Sequence, residues 1–310
     1  ALESAGGILI GFHWSNYPAV MPQNHLFPFH VFFVWGEGIS RFIAPGGHTT
    51  DFILPSGLWL NDRCDSAAVE VFPGSIDFVL ALFDSSAAYN LHQTEETLSM
   101  FYLRMLELLD KRPSWGMIVK SKNWRAEEMG TLFRGSLIVE KMQRLAAAGR
   151  LQVLPPDASP LAAAARADLS VCYGLNSAGI VCAVYGHRVV YWDCSGWYRH
   201  PFYQDPEQRF LFRSLEDLER AIVKAAVGDE MVGDFSCWRR AYNHFDDHDA
   251  SCRVGRFMND IIACLDDNEE FQTALRRAAE KYIRENNVGA PFVGTGNAVG
   301  NELQARSMRS

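Results

Sequence analysis

The chain has 310 residues, 48% hydrophobic and 21% charged, with a formal net charge of −8. That length supports two domains with cores of their own, and that composition describes an ordinary globular protein rather than a disordered one. The acidic balance excludes a general nucleic-acid binder, which needs a basic face to neutralise phosphates. Seven cysteines, odd in number and without a CxxC pair, read as reduced thiols and predict a cytoplasmic protein. The longest apolar run, Leu26 to Trp35, is interrupted by Pro28 and His30 and is too short to span a bilayer. Residues 1–10 lack the basic start of a signal peptide, and the opening on Ala1 directly before a strand-like segment predicts a processed chain or a piece of a longer polypeptide.

In chain order, Gly7–Phe12 and His30–Trp35 read as strands, with loops at Pro18–Pro22 and Pro45–Gly47 and a linker over Cys64–Pro73. No helix long enough to cover a sheet falls in residues 1–75, so these predict the tail of a lobe. Alternation begins at Ile76–Phe83, a buried strand. Thr94–Lys111 follows as a helix, with Thr94 as N-cap and Pro113 as the stop. Met117–Lys120 is a strand, Ser136–Ala148 a helix closed by Gly149, Leu151–Leu154 a strand and Leu161–Arg166 a short helix. Ala167–Asp193 then reads as strand (Leu169–Tyr173), turn (Gly174–Gly179), helix to Tyr185 and strand (Arg188–Trp192). Helices follow at Ser214–Ala226, Phe235–Cys264 and Glu269–Asn286, and a Gly-rich tail from Val288 predicts a flexible end. The predicted organisation is 1–75, the tail of an N-terminal lobe; 76–235, an α/β domain; 236–286, C-terminal helices; and 287–310, a tail. Alternating strands and helices predict a doubly wound parallel sheet of Rossmann type.

Ligands of such sheets lie beyond the carboxyl ends of the strands. The polar residues there are Asp84 and Ser85; Lys120 and Lys122; Asn176 and Ser177, followed by the helix N-terminal amides of Ala178 and Gly179; and Asp193, Ser195, Arg199 and His200. A helix N-terminus with cations beside it suits a diphosphate, while a structural turn with solvated lysines and a packed histidine accounts for the same residues. His244 and His248 stand at i, i+4 beside three aspartates, but spacing indicates no third ligand, so no metal site is expected. The run Asp246–Asp249 reads as a solvated face that also caps the following helix. Neither a Gly-x-Ser-x-Gly elbow nor a Gly-x-Gly-x-x-Gly fingerprint occurs.

Several of these segments, in this order, resemble bacterial GT-B glycosyltransferases of surface-polysaccharide biosynthesis, in their C-terminal half. The strand His30–Gly36 (HVFFVWG) is similar to that family's "vyfvWG". Phe83-Asp84 matches its strand ending in "FD", and Ile118–Lys122 its "viiKpK". ADL…NSAGIVCAVYGHRVVYWD is similar to its "aDlvi…StagiEaallGkpvvyyD". Phe245-x-Asp247-x-x-Ala250-x-x-Arg253 matches "FxDGxAxxR". The similarity spans roughly residues 30–265 and departs at Val181, where many GT-B enzymes carry a ribose-binding glutamate, and at His248, which replaces a glycine.

The resemblance implies a GT-B-like fold with a partial N-terminal lobe. It implies transfer of a sugar from a nucleotide-sugar donor to a glycan or lipid-linked acceptor, without a bound metal. Such an enzyme would sit in the cytoplasm, at the inner face of the membrane when peripherally associated. Donor contacts would come from the strand-end residues above, and His13 would be the base from the N-terminal lobe. A nucleotide-sugar 2-epimerase and a non-catalytic nucleotide- or glycan-binding module are the alternative readings.

Overall fold

The computed structural model describes residues 7–13, 29–36, 38, 50–59, 69, 70, 72–85, 92–122, 137–195, 200–205, 207, 209–247, 249–267, 269–288, 292 and 293. The strands are β1 (Ile10–Phe12), β2 (Val31–Val34), β3 (Phe52–Pro55), β4 (Phe78–Phe83), β5 (Trp115–Lys120), β6 (Leu151–Leu154), β7 (Leu169–Tyr173), β8 (Val189–Trp192), β9 (Leu211–Phe212) and β10 (Phe292–Val293). The α-helices are α1 (Glu95–Lys111), α2 (Leu137–Ala147), α3 (Pro160–Ala164), α4 (Ser177–Val184), α5 (Leu215–Ala226), α6 (Ser236–Tyr242), α7 (Ala250–Asp266) and α8 (Phe271–Glu285). Contacts divide the chain into a first unit, residues 1–61 with 238–310, and a second unit, residues 62–237.

In the first unit β1, β2 and β3 run parallel, and β10 pairs antiparallel with β3. Every residue of β2 and β3 is buried, the continuous apolar pattern of strands covered on both faces. Phe33 and Leu54 pack with Phe257 and Ile261 of α7 and with Leu275, Ala278 and Tyr282 of α8. The Tyr282 hydroxyl donates to the carbonyl of Pro55 at 2.7 Å. The helices that the sequence sets apart as 236–286 therefore share a core with the N-terminal strands. Of the tail, Phe292 and Val293 form a strand rather than a flexible end. The remaining residues beyond 288 lie outside the described ones.

The single helix expected over Phe235–Cys264 is two, α6 and α7. Neither Gly nor Pro falls between residues 235 and 254; polar side chains make the break by bonding away from the helix. Asn243 Oδ1 accepts from the Leu58 N–H at 2.9 Å. Arg253, 4% exposed, gives Asp247 a bidentate pair at 2.8 and 3.0 Å, donates to the Ser56 carbonyl at 3.1 Å and lies 3.8 Å over the Phe245 ring. The motif residues Phe245, Asp247 and Arg253 thus tie the segment after β3 to the start of α7. Asp249 is the N-cap position of α7, but its carboxylate takes Arg256 at 2.9 Å instead of capping.

The second unit holds a parallel sheet in the order β6-β5-β4-β7-β8-β9. Numbered within the unit, that is 3-2-1-4-5-6, the doubly wound Rossmann order. Leu80, Leu82, Val171, Tyr173 and Val190 face α1, α2 and α5 in one core. The alternate residues Cys172 and Tyr191 face α4, because successive side chains on a strand point to opposite faces. Helix α1 begins in a reciprocal cap between Thr94 and Thr97, as the sequence indicates. Asp168 of the "ADL" motif sets the register of β7 on β4: its carboxylate accepts from the Val79 N–H at 2.7 Å while its own N–H donates to the Val79 carbonyl at 2.8 Å. Glu70 exchanges backbone hydrogen bonds with the Gln152 side chain, so the end of the expected linker is an edge of this unit.

Replacing Asp247 by Ala leaves the buried Arg253 guanidinium with the Ser56 carbonyl and the Phe245 ring. It should lower stability by about 1–3 kcal/mol, less than for a fully buried pair because the Asp247 side chain is 46% exposed, and a urea unfolding midpoint measures it. Arg253→Lys, which cannot make the bidentate pair, should fall between that variant and the parent.

Candidate functional site

Strand order reverses between β4 and β7, whose following connections pass to opposite faces, and the crevice between their carboxyl ends is where such sheets take ligands. Asp84 and Ser85 follow β4; Gly174 to Gly179 follow β7. Asn176 joins the two sides. Its Oδ1 caps α4 by accepting from the Gly179 N–H at 3.0 Å, and its Nδ2 donates to the carbonyls of Phe83 (3.4 Å) and Tyr173 (3.3 Å). Ser177 and Ala178 are half-buried at the lip, where the positive end of the helix dipole points.

Two glycines make the turn possible. Gly174 has φ +67°, a conformation that disfavours a side chain, and any Cβ there would lie 1.9 Å from Nε2 of the buried Gln93. A Cβ on Gly179 would meet Cys172 Sγ at 2.5 Å and the Tyr191 hydroxyl at 2.7 Å, so only glycine lets α4 lie this close to the sheet. Gln93, remote in sequence, gives no signal that spacing reveals.

Asp84 is buried and occupied. It accepts from the Tyr102 hydroxyl at 2.8 Å and from the backbone N–H of Lys122 at 2.7 Å. Burial, reinforced by the Asp84 carboxylate, pushes the Tyr102 phenol well above its ordinary pKa. The carboxylate therefore anchors the segment after β5. The lysines differ. Lys120 Nζ donates to the Pro156 carbonyl at 2.8 Å and to the Ser121 carbonyl at 3.2 Å, and burial lowers its pKa. The Lys122 side chain is exposed at the strand end.

At the end of β8, buried Asp193 accepts from the Ser195 N–H at 2.9 Å and from the Tyr203 hydroxyl. His200, 2% exposed, caps the 3-10 turn Pro201–Gln204 by accepting from the Phe202 N–H on Nδ1 at 3.2 Å. Burial pushes its pKa down to about 3, so it is a neutral capping group and supplies no cation to a diphosphate. Arg199 and His248 lie outside the described residues. His13 belongs to the first unit: it ends β1, is 1% exposed and packs with its ring centroid 4.2 Å from that of Trp35. In this structure the ring is enclosed. Val181 is buried, so no carboxylate stands on that turn of α4. Among the described residues no three His, Cys, Asp or Glu side chains gather as a metal site, and no helix is long and apolar enough to cross a membrane.

The family model described as "Polysaccharide biosynthesis PFTS motif protein" matches residues 11–222. No curated protein matches the chain. Among solved structures, a putative UDP-N-acetylglucosamine 2-epimerase from Listeria monocytogenes is 14% identical with a TM-score of 0.46, over 78% of this chain and 61% of that one. TarM is 11% identical with a TM-score of 0.44, over 74% of this chain and 43% of its own. The glycotransferase of kitacinnamycin is 15% identical with a TM-score of 0.47, over 74% of this chain and 55% of its own. The chain thus spans between 43% and 61% of the length of these structures.

Two outcomes follow from this geometry. Asn176→Ala removes the α4 cap and should cost about 0.5–2 kcal/mol in thermal unfolding, whereas Asn176→Asp keeps the cap oxygen and should cost less. His200 has a folded pKa below its unfolded value near 6.5, so the unfolded state binds the extra proton between about pH 6.5 and 3 and stability falls as pH drops through that window. His200→Asn, which can still cap, should flatten the dependence of melting temperature on pH there, by at most about 1.4 kcal/mol per pH unit.

Proposed function

Because this chain belongs to the polysaccharide biosynthesis PFTS motif protein family, we propose that it is a GT-B-type glycosyltransferase whose second unit binds a nucleotide-sugar donor. The observation that carries this reading is the junction of a Rossmann strand order with a capped helix N-terminus at the reversal point, Asn176 on α4 beside the β4 end. The donor's diphosphate would lie against Ser177, Ala178 and Gly179, its charge met by the helix dipole and by the exposed ammonium of Lys122, without a metal ion. Asp84, Lys120 and Asp193 shape the edge by holding its loops, and Ser85 would meet the donor beside them. In the transfer, an acceptor hydroxyl attacks the anomeric carbon, the bond to the diphosphate breaks, and the nucleoside diphosphate leaves on the cationic edge. The acceptor would be a glycan or a lipid-linked saccharide, met in the cytoplasm at the inner face of the membrane.

Val181 favours a second reading. With no carboxylate at that turn of α4, the unit would bind a nucleotide without turning over a sugar. Product analysis with full-length protein separates the readings: transfer needs an acceptor, epimerisation alters the donor alone, and a binding module leaves both unchanged.

Titration with UDP, GDP and ADP, followed by thermal unfolding, tests donor binding. One of them should stabilise the chain, by about 2.7 kcal/mol when present at a hundredfold over its Kd. Lys122→Ala should weaken that ligand about five- to tenfold. No stabilisation by any of the three at millimolar concentration would sink the donor-site assignment.

A further inference from the structure

On the outer edge of the second unit, where β9 ends the sheet, a pocket of about 540 Å³ lies between β9 and α5. It sits beside the donor edge, not within it: Tyr203, on its wall, donates its hydroxyl to Asp193 at the end of β8. The volume falls within the range of about 300–1,000 Å³ found for small-molecule sites. Phe212 forms the floor, and Asp217, Arg220, Ala221 and Lys224 come from one face of α5, at the spacing that places helix residues in a row. Opposite them the Arg213 guanidinium rests 4.7 Å above the Tyr203 ring.

The cations here are not equivalent. Arg209 is a strut: it pairs with Asp205 at 2.7 Å, Asp234 at 3.2 Å and Glu207 at 3.4 Å, with only 12% of its side chain exposed, and the hydrogen bond to Asp205 raises its pKa. Arg220 is 71% exposed and shares only the surface carboxylate of Asp217, a pair of little energetic weight in water. Lys224 is exposed and has no ion-pair partner among the described residues. The lining also carries the carboxylates of Glu207, Asp217 and Asp229, but Glu207 pairs with Arg209 at 3.4 Å and Asp229 accepts from the Met231 N–H at 3.1 Å. The guanidinium and ammonium on α5, with Tyr203 and Phe212 also in the lining, match a ligand with an anionic group on an apolar-faced ring.

We propose that this pocket binds an anionic saccharide, one bearing a carboxylate or a phosphate, with Arg220 and Lys224 meeting the anion and Tyr203 and Phe212 flanking the sugar ring. The saccharide part rests on the family's place in polysaccharide biosynthesis; the anionic part rests on the residues. A growing acidic polymer or its charged repeat unit would then be held one strand away from the donor edge. The competing account is that the basic side chains blunt a short exposed strand edge against self-association.

Calorimetric titration of the full chain with trigalacturonate, glucose 6-phosphate, maltotriose and inorganic phosphate tests the proposal. At least one charged sugar should bind roughly tenfold more tightly than maltotriose and than phosphate alone, about the effect of one added charge-assisted hydrogen bond. Preference between trigalacturonate and glucose 6-phosphate identifies carboxylate or phosphate as the source. Arg220→Gln with Lys224→Gln should reduce that binding at least tenfold while leaving stabilisation by nucleoside diphosphates unchanged, so failure here is distinguishable from failure of the donor site. Both residues are exposed, and the single substitutions serve if the double variant unfolds early. Absence of charged-sugar binding at millimolar concentration, equal binding of phosphate alone, or indifference to the substitutions would overturn the proposal. So would a double variant that only self-associates on size exclusion, which assigns the residues to edge protection.

Discussion

Where the strand order reverses between β4 and β7, two neighbouring strand ends are left side by side with their connections departing to opposite faces. Something must hold those ends together and aim the helix that follows. The Asn176 carboxamide does both, spending its oxygen on the α4 amide and its nitrogen on the two strand-end carbonyls. The close seating of α4 depends in turn on Gly179, which has no Cβ to strike Cys172 and Tyr191. A helix terminus fixed this way presents its dipole at a defined place without reorganisation, the property an anion site requires.

Charged side chains do comparable work elsewhere. Asp84 binds a tyrosine of α1 and the backbone after β5, and Asp168 pins the opposite ends of β4 and β7. In the first unit Arg253 ties the segment after β3 to the start of α7. Asp84 and Arg253, which are buried, gather enough partners to offset the cost of leaving water. Motif residues that a functional reading would place on a substrate are, in these cases, the fasteners of the loops around it. The edge at the strand reversal is consequently built mainly from backbone and helix terminus, with the exposed Lys122 following β5.

How much could be read beforehand varies with the range of the interaction. β6 and β7 fall on their expected residues, and α1 starts at Thr94's cap, because apolar period and capping act over a few residues. β9 and β10, two residues each, carry too little pattern to read. The break between α6 and α7 was illegible because Asn243 and Arg253 make it by bonding to residues near 57, almost two hundred positions away. His200 illustrates the same limit chemically: its type suggests a cation, but enclosure beside Phe202 makes it neutral.

The sequence by itself determined the alternation of strand and helix, the parallel α/β class, and which residues stand at the strand ends, since all of these follow from local periodicity and turn chemistry. Only the tertiary structure decided which of those residues are spent. Lys120, Asp84, Asp193 and His200 are occupied by carbonyls, amides and hydroxyls brought from distant segments. It also decided that α7 and α8 close the core of the N-terminal strands, and that a pocket lined by charges of both signs lies between α5 and β9. A side chain's partners and its dielectric surroundings are set by segments far from it along the chain, and no local pattern encodes them.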